Sequence, residues 1–369
     1  MKSVLLVTKD LESRGGVANY YRLFVQEFEA NDIKLRLFSV GSRNKDYYNR
    51  NERNASYLKE YILDIRHLIL SLLRDKSIKI VQVSPSLLPV PLIRDGFIIL
   101  ISKFFRKKVV VFYRGWRDSF VLKIRENPHI RFWFRFVFQR ADASIFLATK
   151  FLDDLEKSNI RLKNIQVTRT FFLKSRLENL EMIKKRGLPK FVFISRISKK
   201  KGTVEILKAC EILLNSKQEF LIEFYGHFAD LEFKSSFFAL ISELQIDEMV
   251  KINPYITEEE KYIILRQSDV FILPSYEEGC PNSVIEAMAS GCFIISSDAG
   301  ALPEIVKNGI NGLIMEDITA ENLAEKMAYA IDNIEIVREK GKSNIKYAYD
   351  NFEAESHIKN MENLYRSLV

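Results

Sequence analysis

Cysteine and histidine are scarce in this chain. Three cysteines, Cys210, Cys280 and Cys292, and four histidines occur among its 369 residues. The cysteines form no C-x-x-C pair and have no metal-ligand spacing, so the sequence predicts no bound metal. Their odd number favours reduced thiols, and with them a cytoplasmic location.

Long apolar runs are absent as well. The N-terminal run in MKSVLLVTKD is too short for a signal peptide. No stretch approaches the length of a membrane-spanning helix, because Arg94 and Asp95 interrupt the longest candidate. Internal repeats and low-complexity tracts are also missing. The sequence therefore predicts a chain that does not cross a membrane.

Length and charge indicate the domain organisation. A chain of this length suggests roughly two domains, and its 47% hydrophobic content is ordinary for a soluble protein. Residues 1–186 carry 37 Lys and Arg against 19 acids, a net of +18, whereas residues 187–369 carry 19 against 29, a net of −10. Such asymmetry suggests that the halves meet different partners. We predict a first domain over residues 1–173, a linker over 174–189 and a second domain over 190–351.

Short apolar runs alternate with helical patterns in both halves, which predicts an α/β fold with two doubly wound parallel sheets. Ligands of such sheets bind at the carboxyl ends of the strands, so the loops after the strands are the candidate sites. The predicted strands are Ser3–Thr8, Ile33–Val40, Ile78–Val83, Lys108–Tyr113 and Ala143–Ala148, then Lys190–Ser195, Phe220–Tyr225, Met249–Ile252, Asp269–Leu273 and Cys292–Ser296.

One of these loops lies in PSYEEGCPNSVIEAMASG, residues 274–291, and holds Glu278 and Glu286 eight positions apart. A helix is predicted to begin near Asn282 and Ser283, which are good N-cap residues, and to end at Gly291. The start of a helix directs unpaired N–H groups and a positive dipole end at a ligand. Amides suit phosphate and carboxylates suit diols, so the block predicts a ligand that carries both.

A basic loop with Arg196 and Lys201 follows the predicted strand Lys190–Ser195. Arg matches pairs of phosphate oxygens and Lys acts as a point charge, so the two can neutralise a diphosphate without a metal. A basic loop or an E-x7-E spacing taken alone is as readily a solvated surface. Their occurrence together favours a site for a sugar nucleotide.

The block around Glu278 and Glu286 resembles the E-x7-E signature of retaining glycosyltransferases with the GT-B fold, in particular family 4, also called group 1. The basic loop is similar to that family's G-R-L-x-x-x-K-G motif, with Ser195 in place of the glycine. The resemblance implies two Rossmann-like domains that face a cleft: an acceptor-binding first domain and a nucleotide-sugar-binding second domain. It also implies that a C-terminal helix within residues 352–369 crosses back to the first domain.

The resemblance implies a role for each matching residue. Arg196 and Lys201 hold the donor diphosphate and, with Glu278, carry the catalysis; Glu278 holds sugar hydroxyls, and Glu286 holds the ribose diol. Gly226 stands in a G-x-G loop whose second glycine is absent here. The further donor contacts that it implies are Gly16, Gly226, Tyr255, Gly279, Cys280, Pro281, Asn282 and Ser283.

The loop after Lys108–Tyr113 departs from the family. Many members carry a His there beside the donor sugar, whereas Arg114 occupies that place in this chain and cannot act as a base. Arg114, Trp116 and Asp118 are predicted to bind the acceptor.

The resemblance therefore predicts a metal-independent retaining hexosyltransferase without a cofactor. The chain has no D-x-D motif, the carboxylate pair that holds a metal in the other major transferase fold. The expected donor is a nucleotide diphosphate sugar, with a UDP-sugar favoured. The expected acceptor is a hydroxyl of a glycan or a lipid-linked molecule in surface polysaccharide synthesis, and no nucleic-acid partner is expected. A nucleotide-sugar epimerase and a non-catalytic nucleotide-sugar-binding subunit remain as alternatives.

The segment Lys103–Arg140 is basic and aromatic. It holds eleven Lys and Arg, two acids and eleven aromatic residues. Basic groups attract anionic lipids and aromatic rings settle at the membrane interface, so the segment favours peripheral attachment to the cytoplasmic face of the inner membrane. The alternative is that these rings pack inside the first domain.

Overall fold

The computed structural model of the protein describes residues 1–13, 15–40, 56–178, 180–181, 183, 185–253 and 256–369, with the backbone alone for residues 56–59. The chain divides into two compact units. The first consists of Met1–Thr170 together with Ala354–Val369, and the second consists of Phe171–Glu353.

The described part of the first unit is a parallel sheet of six strands with helices between them, in the order β2-β1-β3-β4-β5-β6. Its strands are β1 Lys2–Thr8, β2 Ile33–Ser39, β3 Ile78–Val83, β4 Lys108–Tyr113, β5 Ala143–Phe146 and β6 Ile165–Val167. Its helices are α1 Gly16–Glu27, α2 Ser56–Arg74, α3 Pro89–Phe104, α4 Asp118–Glu126, α5 Pro128–Phe138, α6 Thr149–Glu156 and, at the C-terminus, α14 Ala354–Leu368.

A second parallel sheet, in the order β12-β11-β10-β7-β8-β9, forms the centre of the second unit as far as the structure describes it. Its strands are β7 Lys190–Ile194, β8 Leu221–Tyr225, β9 Val250–Asn253, β10 Val270–Leu273, β11 Phe293–Ser296 and β12 Gly312–Ile314. Its helices are α7 Thr203–Asn215, α8 Leu231–Glu243, α9 Glu258–Gln267, α10 Asn282–Ala289, α11 Leu302–Ile305, α12 Ala320–Asp332 and α13 Ile334–Phe352.

The predicted α/β fold with parallel sheets is confirmed, and each predicted strand occurs within two residues of its predicted ends. The apolar runs locate the strands because the central ones are buried on both faces, as β10 and β11 are over their whole length. Two edge strands, β6 and β12, were not predicted. Each is three residues long, too short to show a period in the sequence.

The segment predicted as a linker, residues 174–189, is grouped with the second unit. It begins with a turn of 3-10 helix, Lys174–Arg176, and two contacts attach it to that unit. Arg176 forms an ion pair with Glu259 at 2.6 Å, and the Lys185 ammonium donates to the Gly291 carbonyl at 2.6 Å. Arg176 and Lys185 of this segment therefore contact the second unit.

Among the described residues, no helix combines the length and apolarity that crossing a bilayer requires.

Candidate functional site

The carboxyl edge of the second sheet carries helix α10, which follows the buried strand β10. The helix begins at Asn282, and Pro281 occupies its N-cap position, so the prediction that Asn282 and Ser283 act as the cap is wrong. Pro suits the first positions of a helix because its missing N–H is not needed there. The predicted end is confirmed, since Gly291 has a φ of 90° directly after the C-cap residue Ser290.

The two loops predicted to form the site lie against each other. The Lys201 ammonium contacts the Glu278 carboxylate, and the Tyr276 N–H donates to the Lys200 carbonyl at 3.0 Å. Gly202 permits this approach, because it has a φ of 69° and a Cβ there would lie 2.1 Å from the Pro274 carbonyl oxygen. The structure therefore brings together two motifs that are 77 positions apart in sequence.

Lys201 and Glu278 form a partly buried ion pair. Their side chains are 23% and 8% exposed, whereas Arg196, in the same basic loop as Lys201, is exposed. A lysine ammonium has three donors, so Lys201 can retain Glu278 and also bind an anion. The site thus combines the Lys201–Glu278 pair with a second cation, Arg196, on the same basic loop.

A third loop, after β8, reaches the basic loop through Gly226. This residue has a φ of 150°, and a Cβ there would lie 1.9 Å from the Ser195 carbonyl oxygen. The Ile197 N–H also donates to the His227 carbonyl at 2.9 Å. Phe228 stands where the family has its second glycine, and its ring is buried against Phe237. The departure from G-x-G is therefore accommodated by an apolar contact.

Glu286 lies on α10, is 2% exposed and forms an ion pair with Lys261 of α9 at 2.8 Å. Lys261 also contacts Glu258 at 2.8 Å. Burial raises the pKa of the Glu286 carboxyl above its ordinary value, and the Lys261 ammonium opposes that rise. Burial alone would lower the pKa of Lys261, but the carboxylates of Glu286 and Glu258 outweigh it and hold that pKa above its ordinary value.

Sequence reasoning missed Lys261. Its i,i+3 spacing from Glu258 is visible in the sequence, but that spacing is typical of an ordinary surface ion pair on a helix. The contact with Glu286 joins two helices across 25 positions, which no local pattern reveals. Glu286 is therefore held in place by a residue that lies outside the E-x7-E block.

The remaining predicted donor residues lie on both units. The Gly279 carbonyl accepts from the Ala301 N–H at 2.8 Å, and Cys280 is buried. Asn282 and Ser283 are half-buried at the start of α10. Gly16 is the first residue of α1 in the first unit. Tyr255 lies outside the described residues.

The predicted acceptor residues differ in accessibility. Trp116 is 4% exposed and stacks on Phe151 with ring centroids 4.3 Å apart, and its indole N–H donates to Asp118 at 2.9 Å. Arg114 is also buried, with its guanidinium 3.6 Å from the centroid of the Tyr20 ring. The Asp118 side chain is 48% exposed. The structure therefore packs Arg114 and Trp116 inside the first unit and leaves Asp118 accessible.

The environment of Arg114 includes a buried histidine. His357 of α14 forms hydrogen bonds with the Tyr20 hydroxyl at 2.7 Å and with the Thr168 hydroxyl at 3.0 Å. Burial, followed by the positive charge of Arg114, lowers the pKa of His357 to about 3. His357 is therefore neutral at physiological pH, as its position beside a buried cation requires.

Across the described residues, no three His, Cys, Asp or Glu side chains are grouped closely enough to hold a metal ion.

Solved structures share this fold. The whole chain matches sucrose-phosphate synthase from Thermosynechococcus elongatus with a TM-score of 0.80 at 15% identity, covering 99% of that chain. It matches Anabaena HepE, solved in complex with UDP and glucose, with a TM-score of 0.72 at 12% identity, covering 100% of both chains. At these identities the likeness defines the fold class, which is that of GT-B glycosyltransferases.

Glycosyltransferases are among the sequence relatives of this chain. The chain is 22% identical to the uncharacterized glycosyltransferase MJ1069 of Methanocaldococcus jannaschii over 287 residues. These residues are 74% of this chain and 72% of that protein. It is 25% identical to WcaL of Salmonella typhimurium, a putative colanic acid biosynthesis glycosyltransferase, over 199 residues. These residues are 52% of this chain and 48% of WcaL. Residues 178–350 match the family Glycosyl transferases group 1. This match covers just under half of the chain.

Proposed function

We propose that this protein is a retaining, metal-independent glycosyltransferase that moves a hexose-type sugar from a nucleotide diphosphate donor, a UDP-sugar by preference, to a hydroxyl acceptor. The observation that carries the proposal is the contact of Lys201 with Glu278 beside the start of α10. That contact joins a cation suited to a diphosphate with a carboxylate suited to a sugar.

A UDP-sugar donor is supported by the structural neighbours. HepE has the same fold, and its crystal structure contains UDP and glucose. The donor set of this chain suits such a ligand: Arg196 and Lys201 are cations for the diphosphate, and the N–H groups that begin α10 add a positive dipole end. Glu278 and Glu286 are left to accept hydrogen bonds from the sugar hydroxyls and the ribose diol.

Glu286 is suited to hold ribose because its orientation is constrained. One carboxylate oxygen accepts from Lys261 at 2.8 Å, and a carboxylate has further lone pairs for a diol. The surrounding residues of α10 are buried, so the carboxylate belongs to a rigid part of the second unit. Lys261 is therefore a positioning residue in the proposed site.

The proposed reaction breaks the bond between the sugar anomeric carbon and the donor phosphate oxygen. The acceptor oxygen bonds to the same carbon on the same face, and its proton passes to the departing phosphate. Negative charge develops on the diphosphate as it leaves, and Arg196 and Lys201 stabilise that charge. No protein nucleophile is needed in this scheme.

We infer that the acceptor is a glycan or a lipid-linked molecule of surface polysaccharide synthesis, reached at the cytoplasmic face of the inner membrane. WcaL, a relative over 52% of this chain, is described as a colanic acid biosynthesis protein. Among the residues predicted for the acceptor, Asp118 has the accessible carboxylate that an acceptor hydroxyl can reach.

The test is the fate of a UDP-sugar labelled in its sugar, incubated with the protein and a lipid extract of bacterial membranes. Transfer of label to an acceptor with the anomeric configuration retained supports the proposal. Conversion to a different UDP-sugar without an acceptor would instead identify an epimerase. Tight UDP binding with no turnover in any extract would identify a binding subunit.

A further inference from the structure

Helix α3 carries a stripe of large apolar side chains on its exposed side. Val90, Ile93, Phe97 and Phe104 are 70%, 48%, 42% and 82% exposed. Their spacings of three, four and seven positions place them on one side of an α-helix. The helix buries its opposite side, including Leu92, Ile98 and Ile99, so the exposed stripe is additional to the side that the core requires.

Helix α5 continues this surface. The Phe97 ring contacts the Trp133 ring of α5 with centroids 5.5 Å apart. On α5, Phe132 and Phe136 are 68% and 41% exposed, and their rings stack with centroids 6.0 Å apart. We call Val90, Ile93, Phe97, Phe104, Phe132 and Phe136 the apolar face of the first unit.

The structure corrects the prediction that the aromatic residues of Lys103–Arg140 act together at an interface. Phe112, Tyr113, Trp116, Phe120, Phe134 and Phe138 are buried in the first unit. Three exposed rings of that segment remain, Phe104, Phe132 and Phe136, and the α3 stripe lies mostly outside the segment. The face therefore combines two helices, which the sequence pattern did not indicate.

Basic residues accompany the apolar face. Residues 89–140 hold twelve Lys and Arg, of which Arg114 is buried, against three acids, of which Asp95 is 1% exposed and paired with Arg94. Arg135 and Arg140 are exposed on and after α5, and the Arg140 guanidinium lies 4.0 Å from the centroid of the Phe136 ring. Exposed rings beside cations are complementary to a surface that is both apolar and anionic.

We propose that the apolar face and its arginines dock the protein on an anionic lipid bilayer. The rings of Phe132 and Phe136 enter the head-group region, and Arg135 and Arg140 attract lipid phosphates. The inference deepens the proposed function. It rests on that function in one respect, namely that a lipid-linked acceptor is found at such a surface. Docking itself needs neither donor nor acceptor.

The test is cosedimentation of the full chain with vesicles of phosphatidylcholine, alone or mixed with phosphatidylglycerol. We expect binding to the mixed vesicles at low salt, severalfold weaker binding at high salt and little binding to phosphatidylcholine alone. Insensitivity to lipid charge and salt, or no binding at all, would overturn the proposal.

Two double variants with matched controls locate the surface. Arg135→Glu with Arg140→Glu should lower partitioning to mixed vesicles by about tenfold or more. The control, Lys342→Glu with Lys346→Glu, makes the same charge change on exposed positions of α13 and should not lower it.

Phe132→Ser with Phe136→Ser should also release the protein from the vesicles. The control, Leu231→Ser with Ile310→Ser, should not release it, although those residues are 72% and 71% exposed. Equal losses in the variants and their controls would contradict the assignment of the face.

Two further readouts separate the explanations. Light scattering without lipid shows whether the face pairs with a second copy, and a dimer abolished by Phe132→Ser with Phe136→Ser, together with no vesicle binding, would overturn the proposal. UDP-induced thermal stabilisation reports on the donor site of each variant. Vesicle binding without any UDP binding would support docking while counting against the proposed transferase.

Discussion

Lys201 and Glu278 form the contact on which the proposed donor site depends. We predict that Lys201→Ala weakens UDP binding by roughly tenfold or more, because a charge-assisted contact to phosphate contributes about 1.5–3 kcal/mol. Glu278→Gln should lower turnover more than UDP affinity, since it addresses the sugar. Isothermal titration and initial rates measure both. Lys208→Ala, an exposed charge on α7, is the control and should retain UDP binding.

Glu286 combines a proposed role in binding with a structural role. We predict that Glu286→Ala lowers the free energy of unfolding by about 3 kcal/mol, because it leaves Lys261 buried beside Glu258 alone. Replacing Lys261 as well, in Glu286→Ala with Lys261→Met, should restore part of that stability without restoring UDP binding. Urea unfolding and titration with UDP measure the two effects.

The ribose assignment is tested by the same pair of variants. Wild-type UDP affinity in the double variant would contradict the proposed role of Glu286. A double variant as unstable as Glu286→Ala would instead contradict the assignment of the stability loss to an unpaired buried lysine.

Helix α14 carries a pH-dependent element in His357. The pKa of His357 falls from 6.5 in the unfolded chain to about 3 when it is buried, so the unfolded state binds more protons below pH 6.5. Its contribution to stability is complete above that pH and is lost as the pH falls towards 3. We predict a loss of about 1.4 kcal/mol per pH unit once the pH is well below 6.5.

Urea unfolding from pH 7 to pH 5 checks this slope. His357→Gln should flatten it, because glutamine does not titrate. His129→Gln, at an exposed position in α5, should keep the slope of the wild type. An unchanged slope in His357→Gln would show that other groups cause the acid sensitivity.

The junction of the basic loop with α7 depends on Gly202. We predict that Gly202→Ala lowers both stability and UDP affinity, because its Cβ would lie 2.1 Å from the Pro274 carbonyl oxygen and push apart the loops that hold Lys201 and Glu278. Gly187→Ala is the matched control: its φ of 79° is equally strained for alanine, but no atom lies within 4 Å of its Cβ. Gly187→Ala should lower the free energy of unfolding by only about 1–2 kcal/mol. Equal effects of the two variants would show that backbone strain alone is responsible.

For the whole molecule, we predict transferase activity that is unchanged by chelators. In the proposed reaction, Arg196 and Lys201 supply the positive charge that a metal supplies to a leaving diphosphate in other sites. Initial rates with EDTA, and with added Mg²⁺ or Mn²⁺, measure this. A strict requirement for either ion would contradict the prediction.

Much of the fold was predictable because burial on both faces leaves a visible apolar run in the sequence. β3 and β4 were predicted with the ends that they have, whereas the three-residue strands β6 and β12 were not predicted at all. The helix start at Asn282 was predicted, but its cap was not, because Pro281 and Asn282 are both compatible with that end of a helix.

The alternation of strands and helices and the two motifs around Arg196 and Glu278 could be predicted from the sequence alone, because both depend on local spacing. The tertiary fold determines which distant side chains meet. It paired Lys201 with Glu278 and Lys261 with Glu286, buried Arg114 and Trp116, and brought Phe97 of α3 into contact with Trp133 of α5. Such outcomes depend on packing between elements far apart in the chain. A local sequence pattern does not show which side of a helix the neighbouring elements will cover.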